Sequence, residues 1–113
     1  MFGHEKFEAY QIAVKFLEIA FRLNDRIPKG NAALKDQLRR AATSISLNIA
    51  EGSGKFEEPD RRRFYSIARG SAMECAAICD VIALLDSRLL DEVHKAKEYL
   101  ESIVAILSKI CLK

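Results

Sequence analysis

The sequence contains few turn-forming residues, with five glycines and two prolines among its 113 residues. So few turn formers favour a small number of long helices over many short strands. Half of the residues are apolar and 30% are charged, which is the balance of an ordinary globular protein. The length fits one domain with a core large enough to need neither a disulfide nor a metal.

Cysteine is also scarce, and Cys75, Cys79 and Cys111 show neither an even count nor the spacing of a disulfide framework. We therefore predict reduced thiols. Cys75 and Cys79 are four residues apart, a spacing that lets two thiolates reach one metal on a helix. Because no CxxC or HExxH pattern supplies further ligands, we interpret both as small buried apolar side chains.

No arrangement of residues typical of catalysis or cofactor binding is present in the sequence. His94 has no nucleophile near it at helical spacing, and His4 is the other histidine. The segment EGSGK, residues 51–55, does not match the GxxxxGK[ST] phosphate-loop pattern, and no strand precedes it. The sequence therefore predicts a protein that is not an enzyme, with no catalytic residue, no metal and no cofactor.

Long apolar runs are missing, and no run approaches the ~20 residues that a membrane-spanning helix requires. The first ten residues, MFGHEKFEAY, carry charges where a signal peptide has its apolar region. We therefore expect a cytoplasmic protein that does not enter a membrane.

Apolar residues recur at helical spacing in four segments, at approximately residues 6–26, 32–51, 59–86 and 90–111. Pro28 and Gly30 separate the first two segments, and Gly52 and Gly54 follow the second. Short loops force neighbouring helices to run antiparallel. We therefore predict an all-α fold, an antiparallel up-down-up-down four-helix bundle that forms one domain over residues 1–113.

The third and fourth helices show apolar stripes whose members are predicted to form the core. The stripe of the third helix comprises Phe64, Ile67, Ser71, Cys75, Ile78, Ile82 and Leu85. The fourth helix has the cleaner heptad pattern, with Val93, Ala96, Leu100, Ile103, Leu107 and Ile110.

The second helix contains a stretch without any charge, Ala41 to Ala50, in which Leu47 lies opposite the predicted core side. We interpret this stretch as covered on both sides, by its own bundle and by a second surface. A single exposed leucine that faces water is the ordinary alternative. The first helix has an unusually wide apolar arc, and the candidate residues of an oligomer interface are Ile12, Phe16, Ile19 and Leu47.

Glu74 lies at the edge of the third helix's apolar stripe, where a buried carboxylate needs a partner. Burying it unpaired costs several kcal/mol or shifts its pKa. We therefore predict a polar network between the second and third helices, with a structural and not a catalytic role. Its members are Ser44, Asn48, Glu51 and Glu74.

Positive charge is concentrated in the middle third, because residues 26–70 carry ten Lys or Arg against five Asp or Glu. An arginine beside a tyrosine on the outward side of the third helix suits phosphate contact and base stacking. The candidate nucleic-acid-binding residues are Arg39, Arg40, Lys55, Arg61, Arg62, Arg63, Tyr65 and Arg69. A solvated face or an arginine-stabilised subunit contact is the alternative interpretation, and the sequence leaves both open.

Two segments carry a family resemblance: QLRRAATSISLNIAEGSGK, residues 37–55, and FYSIARGSAMEC, residues 64–75. They closely resemble the bacterial four-helix-bundle family of large-subunit ribosomal RNA intervening-sequence proteins. The combination RRAA-SI--NIAEG with IA-GS--E is far more specific than a generic bundle pattern. The sequence departs from the family at Lys55, where arginine is more typical, and at EEPDRRR, where the helix often starts with serine.

The resemblance implies a four-helix bundle that assembles into a homopentamer. The family is also similar to accessory bundle proteins of retroelements, which bind nucleic acid and a reverse transcriptase. The resemblance therefore implies copies of the chain itself as partners, with RNA or another nucleic acid and a second protein as further candidates. We expect a non-enzymatic, homo-oligomeric interaction module, and the alternative is an accessory protein that binds structured RNA through a basic surface.

Overall fold

The computed structural model describes residues 1–112 of the chain. Within this range all regular structure is helical, which confirms the predicted all-α class. Two 3₁₀ turns, Gly3–Lys6 and Ser87–Leu89, precede the first and the last α-helix. The four α-helices are α1 (Glu8–Arg26), α2 (Ala32–Ser53), α3 (Glu58–Leu85) and α4 (Leu90–Cys111).

The start of α1 and the loop that follows it are set by local backbone chemistry. α1 begins at Glu8 and not near residue 6, because the preceding residues form a separate 3₁₀ turn that ends at Phe7. The backbone N–H of Phe7 donates to the carbonyl of His4 and closes that turn. In the α1–α2 loop Gly30 has φ = 90°, a left-handed conformation that glycine adopts without strain.

The connection between α2 and α3 is only four residues long. α2 extends to Ser53, two residues beyond the predicted end, and Gly54 donates its N–H to the carbonyl of Ala50 to cap the helix. Pro59 lies in the first turn of α3, where its missing N–H costs no helical hydrogen bond. The loop therefore holds the end of α2 close to the start of α3.

The helices form a closed ring in which α1 and α3 each pack between α2 and α4. Residue pairs across α3 and α4 run in reversed order along the chain, since Arg69 meets Ser108 and Asp80 meets Lys97. These contacts are consistent with the predicted antiparallel up-down-up-down course.

The core combines small and large side chains. On α1 the fully buried residues are Ala9, Ala13, Phe16, Ala20 and Leu23. The alanines allow the neighbouring helices to approach, and Phe16 and Leu23 fill the space between them. The predicted heptad of α4 faces this core, with every member from Val93 to Leu107 buried and Ile110 half-buried.

The core side of α3 is rotated relative to the predicted stripe by less than one residue position, because Cys75, Ile78 and Ile82 of that stripe are buried. Ile67 and Leu85 were predicted to be core residues, yet both are exposed. Ala68, Ala72 and Cys79 are fully buried in their place, together with the correctly predicted Cys75 and Ile82. Apolar residues lie on both sides of α3, so the helical period alone does not select the side that faces the core.

Leu100 lies at the centre of the α4 heptad and is 2% exposed. We expect Leu100→Ala to lower the free energy of unfolding by about 2–5 kcal/mol, because it removes buried methyl groups and leaves a cavity. Urea denaturation measures this loss. Leu112→Ala is the control, since Leu112 is largely exposed. A loss below about 0.5 kcal/mol for Leu100→Ala would contradict the core position, since core truncations cost several times more.

Candidate functional site

A small hydrogen-bonded cluster joins α2 to α3 near the middle of the bundle. Ser44 Oγ lies 2.8 Å from Ser71 Oγ. Asn48 donates through Nδ2 to the Ser44 carbonyl oxygen at 2.8 Å and to Ser44 Oγ at 2.9 Å. The cluster thus contains two residues of the predicted polar network, Ser44 and Asn48, and adds Ser71.

The two glutamates predicted for that network lie outside it. Glu51 is exposed and pairs with Lys55, four residues further along the chain, at 3.2 Å. Glu74 is also exposed, because the rotation of α3 turns it toward solvent. It lines a polar groove of about 380 Å³ between α2 and α3, together with Gln37 and Arg40. The carboxylate of Glu74 therefore does not need the buried partner that the sequence suggested.

Tyr65 was predicted to face outward as a stacking residue, and the structure corrects this prediction. Its side chain is buried, and its hydroxyl lies 2.9 Å from Ser53 Oγ on α2. The ring packs against Phe7, with 5.6 Å between the ring centroids, and against the backbone at Gly52. Tyr65 therefore packs the start of α3 against the end of α2. In this position its ring is not accessible for stacking with a nucleic-acid base.

Three of the predicted basic residues are held by hydrogen bonds inside the chain. Arg61 donates to the carbonyl oxygens of residues 55 and 56 in the α2–α3 loop, at 3.1 and 2.6 Å. Arg62 pairs with Glu58 at 2.8 Å. Arg69 donates through Nε to Ser108 Oγ on α4 at 2.6 Å. These arginines contribute to the loop and to the α3–α4 contact.

The remaining basic candidates lie on several faces of the bundle. Arg39 is placed over the ring of Phe21 on α1, with 5.4 Å from its guanidinium carbon to the ring centroid. The ammonium of Lys55 and the guanidinium of Arg63 both lie on Phe64, at 5.2 and 4.5 Å from the ring centroid.

Arg40 completes the set, and its guanidinium lies 3.7 Å from the Asp36 carboxylate on the exposed side of α2. The structure therefore distributes the eight candidates over different contacts and does not bring them into one continuous patch. Nucleic-acid binding by the exposed members stays a prediction.

The four residues predicted for an oligomer interface have different environments. Phe16 is fully buried in the chain's own core, which removes it from a surface contact. Ile12 and Ile19 are half-buried and pack against that core. Leu47 is 66% exposed, as its place opposite the core side of α2 predicted. Leu47 is thus the one member of this set that offers a large exposed apolar surface.

The sequence reasoning missed a second apolar surface, which we call the outer α3 face. Its exposed members are Gly70, Met73, Ala77, Val81 and Leu84. Leu84 is 88% exposed and Met73 is 52% exposed. These residues recur at intervals of three and four, so they form one stripe along the helix.

A sequence signal for the outer α3 face was available. From Gly70 to Leu85 the chain has two charged residues in sixteen, Glu74 and Asp80. Asp80 pairs with Lys97 of α4 at 2.6 Å, and this hydrogen bond raises the pKa of Lys97 above its usual range. The pairing leaves the outer α3 face with little charge of its own.

The groups capable of chemistry do not converge in the part of the chain that the structure describes. Burial raises the pKa of the Cys75 thiol to about 12 and that of Cys79 to about 11, so both stay protonated at neutral pH. Within residues 1–112 no cluster of three or more His, Cys, Asp or Glu side chains has the geometry of a metal site. In the same range, no helix combines the length and the apolar character needed to cross a membrane.

Fold and surface together define an all-helical four-helix-bundle protein with an exposed apolar helix face. A family model described as 23S rRNA-intervening sequence protein matches residues 5–109. The match covers nearly the whole chain, and the chain therefore belongs to this family. A search of curated proteins found no match.

Gly52 provides a test of the close contact at the end of α2. A Cβ added at this position would lie 2.8 Å from Tyr65 Cε1 and 3.1 Å from the Arg61 carbonyl oxygen. We therefore expect Gly52→Ala to lower the free energy of unfolding by about 1–3 kcal/mol, as overpacking does.

Gly70→Ala is the matched control, because a Cβ there has no neighbour within 4 Å. Because residue 70 lies in the interior of α3, Gly70→Ala should raise the free energy of unfolding by about 0.5–1 kcal/mol. Chemical denaturation of both variants makes the comparison. Equal effects of the two substitutions would contradict the close contact between Gly52 and Tyr65.

Proposed function

We propose that this antiparallel up-down-up-down bundle is a non-enzymatic interaction module that works as a homo-oligomer. The observation that carries the proposal is the outer α3 face, an exposed apolar stripe on a helix whose other side already faces the core. The family resemblance supports five copies as the assembly. A cytoplasmic location and a further protein partner belong to the same proposal, on the sequence grounds given above.

α3 has apolar residues on two sides, one that faces the core and one that faces solvent. A helix that is apolar all round is ordinarily buried all round. Complete burial of a side chain such as Met73 or Leu84 contributes about 1.5–3 kcal/mol. In the isolated bundle Leu84 gains little of this contribution and Met73 gains part of it, because they are 88% and 52% exposed. Association of copies through the outer α3 face removes that apolar surface from water, as expected for a contiguous exposed patch.

Self-association is tested by the mass of the protein in solution. We expect light scattering at tens of micromolar to give a multiple of the chain mass of 12.7 kDa. Leu84→Glu should reduce this mass while far-UV circular dichroism stays unchanged, because the substitution puts a charge into the outer α3 face and not into the core.

Val14→Glu is the control for a charge placed on an exposed apolar position elsewhere. Val14 is 44% exposed on α1, diagonally across the ring from α3. The Val14→Glu variant should have the same mass in solution as the unmodified protein. A monomer mass for the unmodified protein would contradict the proposal, and equal masses for all three proteins would place the interface away from Leu84.

Nucleic-acid binding is the second candidate function, and one observation favours it. The Lys55 ammonium and the Arg63 guanidinium lie on the same ring, that of Phe64. These two cations each offer a contact for phosphate oxygens, and Arg39 and Arg40 add exposed positive charge on α2. Such contacts bind structured RNA without a base-reading code.

The test is fluorescence anisotropy with structured RNA at two salt concentrations. Replacing Arg39, Arg40 and Arg63 together by alanine should weaken binding and flatten the salt dependence, by roughly 0.7–0.9 in the log–log slope for each phosphate that is no longer neutralised. The control replaces three exposed basic residues at other positions, Lys15, Lys95 and Lys109, by alanine. Absence of binding at low salt, or the same slope for both triple variants, would remove this candidate function.

A further inference from the structure

Phe56 is the most exposed large apolar side chain among the described residues, at 97% of its full accessible surface. It lies in the four-residue loop between α2 and α3. Single exposed apolar residues are common, and exposure alone would carry no conclusion. Two further features, the way the loop is held and a groove elsewhere on the same chain, give this phenylalanine a specific role.

The loop that presents Phe56 is fixed by several hydrogen bonds. Arg61 Nη1 donates to the carbonyl oxygen of Phe56 at 2.6 Å and to that of Lys55 at 3.1 Å. The backbone N–H of Lys55 donates to the Gly52 carbonyl at 3.1 Å. The backbone therefore holds Phe56 outward in an ordered position. A partner that binds its side chain pays little entropy for ordering the loop.

An apolar groove lies between α3 and α4, at the edge of the outer α3 face. Its walls are formed by Ala72, Met73, Ala76, Leu100, Val104 and Ala105. The groove has a volume of about 270 Å³. Pockets for small-molecule ligands and cofactors are larger, at about 300–1,000 Å³. The short alanine side chains leave a recess suited to one large apolar side chain.

The groove cannot be filled by Phe56 of the same chain. Met73 lies fifteen residues after the first residue of α3, and Phe56 precedes that residue by two. At a rise of 1.5 Å per residue, the groove is therefore about 22 Å along α3 from the loop. A phenylalanine side chain does not span this distance, so Phe56 reaches this groove only on another copy of the chain.

The charges beside Phe56 match those beside the groove. Lys55 precedes Phe56 in the sequence and Glu57 follows it, so the aromatic ring has one positive and one negative neighbour. At the groove, Lys97 and Glu101 lie one helical turn apart on either side of Leu100. Lys55 and Lys97 already pair with Glu51 and Asp80 of their own chain, through partly exposed salt bridges that contribute little free energy. A loop placed with Lys55 toward Glu101 and Glu57 toward Lys97 exchanges these pairs for contacts between two copies.

We propose that Phe56 of one copy inserts into the α3–α4 groove of the next copy. This inference rests on the proposed self-association and adds one specific contact beside the outer α3 face, since Met73 belongs to both the face and the groove. The inserting loop and the receiving groove are different parts of the chain, so the contact is head-to-tail. Contacts of this kind generate a ring when the rotation closes. In this arrangement Arg61 is a positioning residue, because it holds the loop carbonyls and does not itself enter the groove.

Two variants test the inserting side chain and the receiving groove independently. Phe56→Ser removes the inserting side chain, and Ala105→Glu places a charge at the exposed rim of the groove. Each should weaken association by about tenfold to a hundredfold per contact, the equivalent of one large buried apolar side chain. Phe56→Leu should retain most of the association. Phe2→Ser and Ala33→Glu are the matched controls at other exposed positions and should not change the mass.

Mixing the two variants gives the sharper test. Phe56→Ser keeps an intact groove, and Ala105→Glu keeps an intact Phe56. Sedimentation velocity should therefore show two monomeric variants that combine into a species of two chains and no larger. A mixture that stays monomeric, or variants that keep the mass of the unmodified protein, would overturn the insertion of Phe56. A monomeric unmodified protein would overturn the proposed self-association as well, so the two failures are distinguishable.

Discussion

The close packing of α3 against α2 is the constraint that determines which side of α3 is exposed. At mid-height the hydroxyls of Ser44 and Ser71 are 2.8 Å apart, which requires close approach of the two helices. At the end of α2 the ring of Tyr65 lies directly against Gly52, where no side chain intervenes. These contacts select one rotation of α3. That rotation turns the outer α3 face to solvent and leaves the α3–α4 groove open beside it.

The sequence predicted the all-α class and the apolar heptad of α4, because that helix is apolar on one side and charged on the other. It did not predict the rotation of α3. Ile67 and Ala68 both belong to acceptable apolar stripes, and the helical period does not distinguish between them. The side of α3 that faces the core is decided by the size of the space between α2 and α4. The small side chains of Ala68 and Ala72 fit this space.

The candidate site was predictable only in part, for a related reason. Long basic side chains form hydrogen bonds with residues that no sequence spacing indicates. Arg69 donates to Ser108, which is distant in the sequence, and Arg61 donates to carbonyl oxygens of the neighbouring loop. No spacing rule indicates such contacts, so the sequence alone groups the basic residues of the middle third into one surface. Leu47 was correctly placed opposite the core side because its helix shows a single clear core side, whereas Phe16 belongs to a wide apolar arc that is mostly core.

The central claim is that copies of this chain cover the outer α3 face. The most direct measurement is thiol labelling at Ala77, an exposed member of that face, in an Ala77→Cys variant that also carries Cys111→Ser. The buried thiols of Cys75 and Cys79 stay unreactive. If copies cover the outer α3 face, labelling slows markedly as the protein concentration rises from nanomolar to tens of micromolar. A labelling rate independent of concentration over that range would contradict this claim.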